Sequence, residues 1–157
     1  FNEFLWWDNI KIKDTTLTFT PSQHWSARGL GDRNKSLWGS WHTNYNKKNI
    51  FHAGDTGYSN DFKEIQKRLG DVDFAMIPIG AYSPEWFMGY SHVNPDEAVN
   101  IALDLNAKES VGMHWGTFIL TDEPVFEPRE KLEKIANKRN VNFYTVIPGT
   151  FIEINKF

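Results

Sequence analysis

Cysteine is absent from the chain, which removes disulfides and every thiolate-ligated metal from consideration. The absence leans towards a cytoplasmic setting while leaving the compartment open. No apolar run approaches the length of a membrane span. No excess of positive charge is present either: 17 Lys and Arg stand against 20 Asp and Glu, a net charge of −3, which argues against a nucleic-acid partner. Repeats, low-complexity tracts and long linkers are lacking. No Gly-rich loop follows a strand to open a helix, and "GLGDRN" has neither the lysine nor the spacing of a P-loop. No serine sits in a nucleophile-elbow pattern. No secretory leader is visible. The chain starts at Phe1 in sequence that already reads as folded, so a fragment lacking its start is the expectation.

Aromatic residues, by contrast, are plentiful: 7 Trp, 5 Tyr and 12 Phe in 157 residues. Several fall in turn-like stretches, including Trp25, Trp38, Trp41, Tyr82, Trp86, Phe87, Tyr90 and Trp115. Such residues either cover a small core or line a pocket for an apolar ligand. The length fits one domain with a real core.

The hydrophobic pattern predicts strands at Ile10 to Lys13 and Thr16 to Thr20, then a pair in "SLWGSWHT" and "NIFHAG" joined by a loop from Asn44 to Asn49. A helix is expected from Asn60 to Leu69, with Phe62, Ile65 and Leu69 inward and Gly70 at its end. "DFAMIPI" reads as a buried strand. Asn94, Pro95 and Glu97 open a second helix reaching Asn106. "SVGMHW" is a further strand, followed by a charged helix from Glu127 to Lys138. "NFYTVI" and "TFIEI" read as closing strands. This order implies an α/β (α+β) fold, a mixed sheet with helices on one face and an apolar second face left open.

Four stretches put a polar residue at the end of an apolar strand beside a glycine or aromatic turn. They are "SQHWSAR" with His24, "AGDTG" with Asp55, "YSHVNP" with His92 and "GMHWGT" with His114. Histidine and aspartate are the usual ligands of catalytic zinc and related ions. Each alone has a plainer reading: Asp55 as a cap for the helix near Ser59, the histidines as hydrogen-bonding structural residues. Together they favour a shared cleft. His42 and His52 lie inside strand patterns and read as structural or surface residues.

"TPSQHWSARGLGDRNKSLWGSW", "FHAGDTGY", "IPIGAYSPEWFMGYSHVNPDEAV" and "HWGTF" resemble, in order, the C-terminal half of the metallo-β-lactamase-fold phospholipases D. These are the N-acylphosphatidylethanolamine-hydrolysing enzymes and their bacterial relatives; the resemblance covers roughly residues 18–150. It implies a four-layer αβ/βα sandwich of which this chain is the C-terminal half-domain, with a two-metal centre, usually zinc, at one edge. It places metal ligands at His24, Asp55 and His114, with Asp55 bridging both ions. Such a centre activates water and stabilises charge on a phosphoryl oxygen. His92 resembles a residue that contacts the substrate phosphate or assists proton transfer. Tyr82, Trp86 and Phe87 are candidates for apolar substrate or membrane contact.

One family motif, H-x-H-x-D-H, is missing: the five histidines are His24, His42, His52, His92 and His114, and no two are two residues apart. The resemblance therefore implies half of a phospholipid-hydrolysing phosphodiesterase, inactive alone. Its open sheet face is expected to pack on the N-terminal half or on a second copy, in the cytoplasm with peripheral membrane contact. Two other readings stay open: another hydrolase of the superfamily, such as a lactonase relative, and a non-catalytic half-fold that binds a partner.

Overall fold

The computed structural model describes residues 2–154. Among them, one seven-stranded mixed sheet runs in strict chain order. Its strands are β1 (Asn9–Ile12), β2 (Thr15–Pro21), β3 (Gly39–Tyr45), β4 (Lys48–His52), β5 (Phe74–Pro78), β6 (Glu109–Met113) and β7 (Phe143–Thr145). The pairs from β1 to β4 are antiparallel, and those from β4 to β7 are parallel. The change comes where helices enter the connections: α1 (Asp61–Leu69), then α2 (Glu85–Met88) and α3 (Pro95–Asp104), then α4 (Glu127–Arg139). Each parallel strand is added on the same side of the one before. Right-handed crossovers then put all the long helices on one face, where α1 packs on α3, α3 on α4 and β5, and α4 on β7.

The core lies between those helices and the sheet. Phe51, Ala75, Ser110 and Phe143 are register partners on this face, and all are buried. The small side chains of Ala75 and Ser110 leave room for the helices to approach. At Gly112 a Cβ would meet Ile79 Cδ1 at 2.8 Å and Leu132 Cδ2 at 3.3 Å, so α4 seats directly on bare backbone. The start of α3 carries the expected capping box: Asn94 Oδ1 accepts the Glu97 N–H at 2.9 Å, and Glu97 Oε2 accepts the Asn94 N–H at 3.0 Å. The opposite sheet face carries Leu17, Phe19, Trp41, Ile50, Met76 and Val111, all half-buried.

Three sequence expectations change. The β3–β4 turn is only Asn46 and Lys47, at φ 49° and 64°, because two left-handed residues match the twist of a tight hairpin and let both strands run on. "TFIEI" is not a strand; the sheet ends at β7, which stops at Thr145 before Pro148. The turn of helix at α2 follows Pro84, whose fixed φ suits a helix start, and was hidden by the aromatic composition of the stretch. No helix among the described residues is long and apolar enough to cross a membrane.

Candidate active site

Two antiparallel steps separate β2 from β4, so β2 points the same way as the parallel strands β4, β5 and β6. The carboxyl ends of all four strands therefore share one sheet edge, where open α/β sheets bind ligands. His24 follows β2, Asp55 follows β4, His92 lies between β5 and α3, and His114 directly follows β6.

These side chains meet. His114 Nε2 lies 3.5 Å from Asp55 Oδ1. The His92 ring is centred 5.5 Å from that of His114 and 5.2 Å from that of His24. His24 Nδ1 lies 2.7 Å from the Trp25 carbonyl oxygen. A carbonyl only accepts, so Nδ1 carries the proton and Nε2 keeps a free lone pair. Trp38 tilts against His24 at 4.5 Å, and its Nε1 donates to the Asp55 carbonyl at 2.9 Å. The indole thus fixes the strand ends that bear both residues. The cleft, about 410 Å³, is lined by His24, Trp38, Asp55, Met88, His92 and His114 among others. Burial, then the neighbouring His114 and His24, push the His92 pKa below the ordinary histidine value.

Two buried ring nitrogens in the cleft, His92 Nδ1 and His114 Nδ1, have no hydrogen-bond partner among the described residues. The Asp55–His114 separation is also informative. It is long for a hydrogen bond, yet two ligands on one tetrahedral ion at about 2.1 Å lie about 3.4 Å apart. The pair therefore fits two neighbouring positions of a metal shell. No group of three His, Cys, Asp or Glu among the described residues is close enough to complete one.

The structure brings His24, Asp55, His92 and His114 into one cleft and leaves the other histidines out. His42 is buried in the sheet, and His52 is exposed, with Nδ1 accepting the Gly54 N–H at 3.1 Å. Tyr82 is a correction: it is 2 % exposed and its hydroxyl donates to Glu127 Oε1 at 2.7 Å, so it anchors a loop and offers no surface to a substrate. Trp86 and Phe87 project from α2 into solvent beside the cleft, outside its wall. Their neighbour Met88 lines it, as do Leu120 and Thr121. Sequence reading missed these three, although Leu120 stands in a run of exposed apolar residues just past "HWGT".

Residues 1–115 match the family model described as the beta-lactamase superfamily domain. The chain belongs to the beta-lactamase superfamily. Within it, the chain is similar to the mitochondrial N-acyl-phosphatidylethanolamine-hydrolyzing phospholipase D of Saccharomyces cerevisiae, 44% identical over 141 residues, covering 85% of this chain and 30% of that protein. It is 42% identical over 147 residues to N-acyl-phosphatidylethanolamine-hydrolyzing phospholipase D 1 of Caenorhabditis elegans, covering 90% of this chain and 41% of that one. The chain thus spans well under half the length of these curated relatives. Among solved structures, the metallo-beta-lactamase fold protein YhfI of Bacillus subtilis superposes with a TM-score of 0.68 at 17% identity, covering 96% of this chain and 54% of that one. This superfamily fold explains the placement of the cleft: its sheet edge gathers strand-end side chains that are far apart in sequence.

Proposed function

We propose that this chain is the C-terminal half of a metal-dependent phosphodiesterase that hydrolyses N-acylphosphatidylethanolamine-type phospholipids. The observation that carries the reading is the facing pair of Asp55 and His114 at 3.5 Å, with His24 and His92 converging on the same sheet edge. Similarity to the two phospholipases D supports the substrate class. In this reading Asp55, His114 and His24 are ligands divided between the ions of a zinc centre, no three of them on one ion, and the donors that complete it lie outside the described residues, on an N-terminal half that also covers the open sheet face. Bound metal would supply Lewis acidity towards the phosphoryl group. His24 presents Nε2 because Trp25 holds its Nδ1 proton. His92, whose pKa burial lowers, is placed to take or return a proton. Trp38 and Met88 line the same cleft.

The test is release of N-acylethanolamine from N-acylphosphatidylethanolamine by the complete gene product, read by mass spectrometry. The complete protein should turn over and bind zinc; residues 1–157 alone should do neither well and should associate through the open face, with a second copy where the other half is missing. A monomeric, fully active chain would sink the reading.

The rim of the cleft suggests how a lipid would reach it. Trp86, Phe87 and Tyr90 on one side and Phe118, Ile119 and Leu120 on the other are all exposed, Trp86 by 87% and Phe118 by 75%. Neither the stretch from Glu85 to Tyr90 nor that from Phe118 to Pro124 contains a lysine or arginine. In our reading this rim makes peripheral contact with a lipid surface through apolar burial, without need of anionic lipid. Replacing Trp86 and Phe118 together with serine should reduce partitioning to phosphatidylcholine vesicles by about tenfold or more. Binding that requires anionic lipid and vanishes in salt would contradict it.

A further inference from the structure

We propose that Glu123 is a positioning residue of this centre: its carboxylate holds the loop after β5 against the loop after β6 and so fixes how His92 and His114 face each other. The proposal rests on reading the cleft as the active site, but the clamp itself is measurable without any activity. Glu123 Oε1 accepts the Ala81 N–H at 2.6 Å, and Oε2 accepts the Ser83 N–H at 3.1 Å. The Asp122 N–H donates to the Ser83 carbonyl at 3.2 Å. Between them, the Tyr82 hydroxyl is held by Glu127. Three consecutive residues are thus tied to one downstream segment.

The loop needs such a tie. Ala81 has φ +65°, a left-handed conformation that is strained for a residue with a Cβ. One residue earlier, a Cβ on Gly80 would meet the His114 carbonyl oxygen at 2.3 Å, so this loop lies directly on the backbone that carries His114. His114 is itself left-handed, at φ +60°. In the other direction the loop continues through α2 to His92. Slack at residues 81–83 would therefore reach both histidines, one by direct contact and one along the chain. A carboxylate suits the role because each oxygen takes one N–H and the negative charge strengthens both bonds. An amide offers an acceptor to only one of them, since its other terminal group is a donor.

The experiment compares Glu123→Gln and Glu123→Ala with the unaltered protein. Hydrogen exchange at the Ala81 and Ser83 amides and the cross-relaxation between the His92 and His114 rings read the clamp. kcat, KM and Tm of the complete protein read its consequence. Glu123→Gln should speed exchange at one amide by about tenfold, weaken the ring–ring contact and lower kcat while KM stays within about twofold. Glu123→Ala should release both amides and lower kcat further. Unchanged exchange and ring contact in both variants would overturn the proposal. So would a fall in Tm with kcat per folded molecule intact, which marks a purely structural residue. If the unaltered protein hydrolyses no phosphodiester, the function proposed above fails, while exchange and ring contact still decide the clamp.

Discussion

Replacing Asp55 with asparagine is expected to strip metal from the complete protein and to lower its turnover by more than the ~100-fold that changing an outer-shell partner of a metal ligand costs. The substitution keeps shape and removes charge. Its consequence follows from what Asp55 touches. The main-chain oxygen of Asp55 accepts from Trp38, a bond that asparagine preserves. The side chain faces His114 Nε2 at 3.5 Å. The fold thus loses little, whereas the charged oxygen that Asp55 would offer an ion in the proposed reading is replaced by a neutral amide. Metal content by elemental analysis should fall with activity, and Tm of the metal-free protein should move by only a few degrees. Retained metal with lost turnover would make Asp55 a base. Retention of both would remove it from the site.

Acid should unfold this chain through a histidine outside the cleft. His42 lies on the helix-facing side of β3, paired with Thr18 and Phe51; it is 3% exposed and its Nε2 is buried without a hydrogen-bond partner among the described residues. Burial pushes its pKa down to about 4. The unfolded chain, with a histidine near pKa 6.5, binds a proton that the folded chain refuses between those values. Stability is therefore full above about pH 6.5 and is lost as pH falls towards 4, by about 3 kcal/mol in total. Burial shifts His92 in the same direction, so the comparison that isolates His42 is a variant. His42→Leu should flatten most of the fall in urea midpoint between pH 7 and pH 4.5. An unaltered pH profile in that variant would assign the loss elsewhere.

Much of this architecture was legible because its signals are local. The Asn94–Glu97 box, the Phe62 and Ile65 stripe and the apolar run from Phe74 each state an element within a few residues. The four cleft residues were legible for another reason: a polar side chain just past an apolar strand has few places to go other than the sheet edge. Tyr82 reads in sequence as part of one aromatic turn with Trp86 and Phe87, whereas Glu127, 45 residues on, holds its hydroxyl and Lys131 lies over its ring. Glu123 was invisible for the same reason, since a carboxylate in "TDEP" gains its role from two amides some 40 residues earlier. The hairpin at Asn46 and Lys47 lacks the glycine that usually announces it.

The strictly sequential strand order bears on how the chain reaches its fold. Each strand hydrogen-bonds only to its predecessor and its successor, so the sheet can be laid down from one edge as the chain leaves the ribosome, with no strand inserted between two already formed. During synthesis the growing edge is always the newest strand. Among the described residues β7 is the last strand, and at three residues it leaves little exposed backbone to template another chain. Assembly of the sheet therefore does not wait for distant sequence, whereas the tie on the loop after β5 does: Glu123, which accepts from Ala81 and Ser83, is made only after β6.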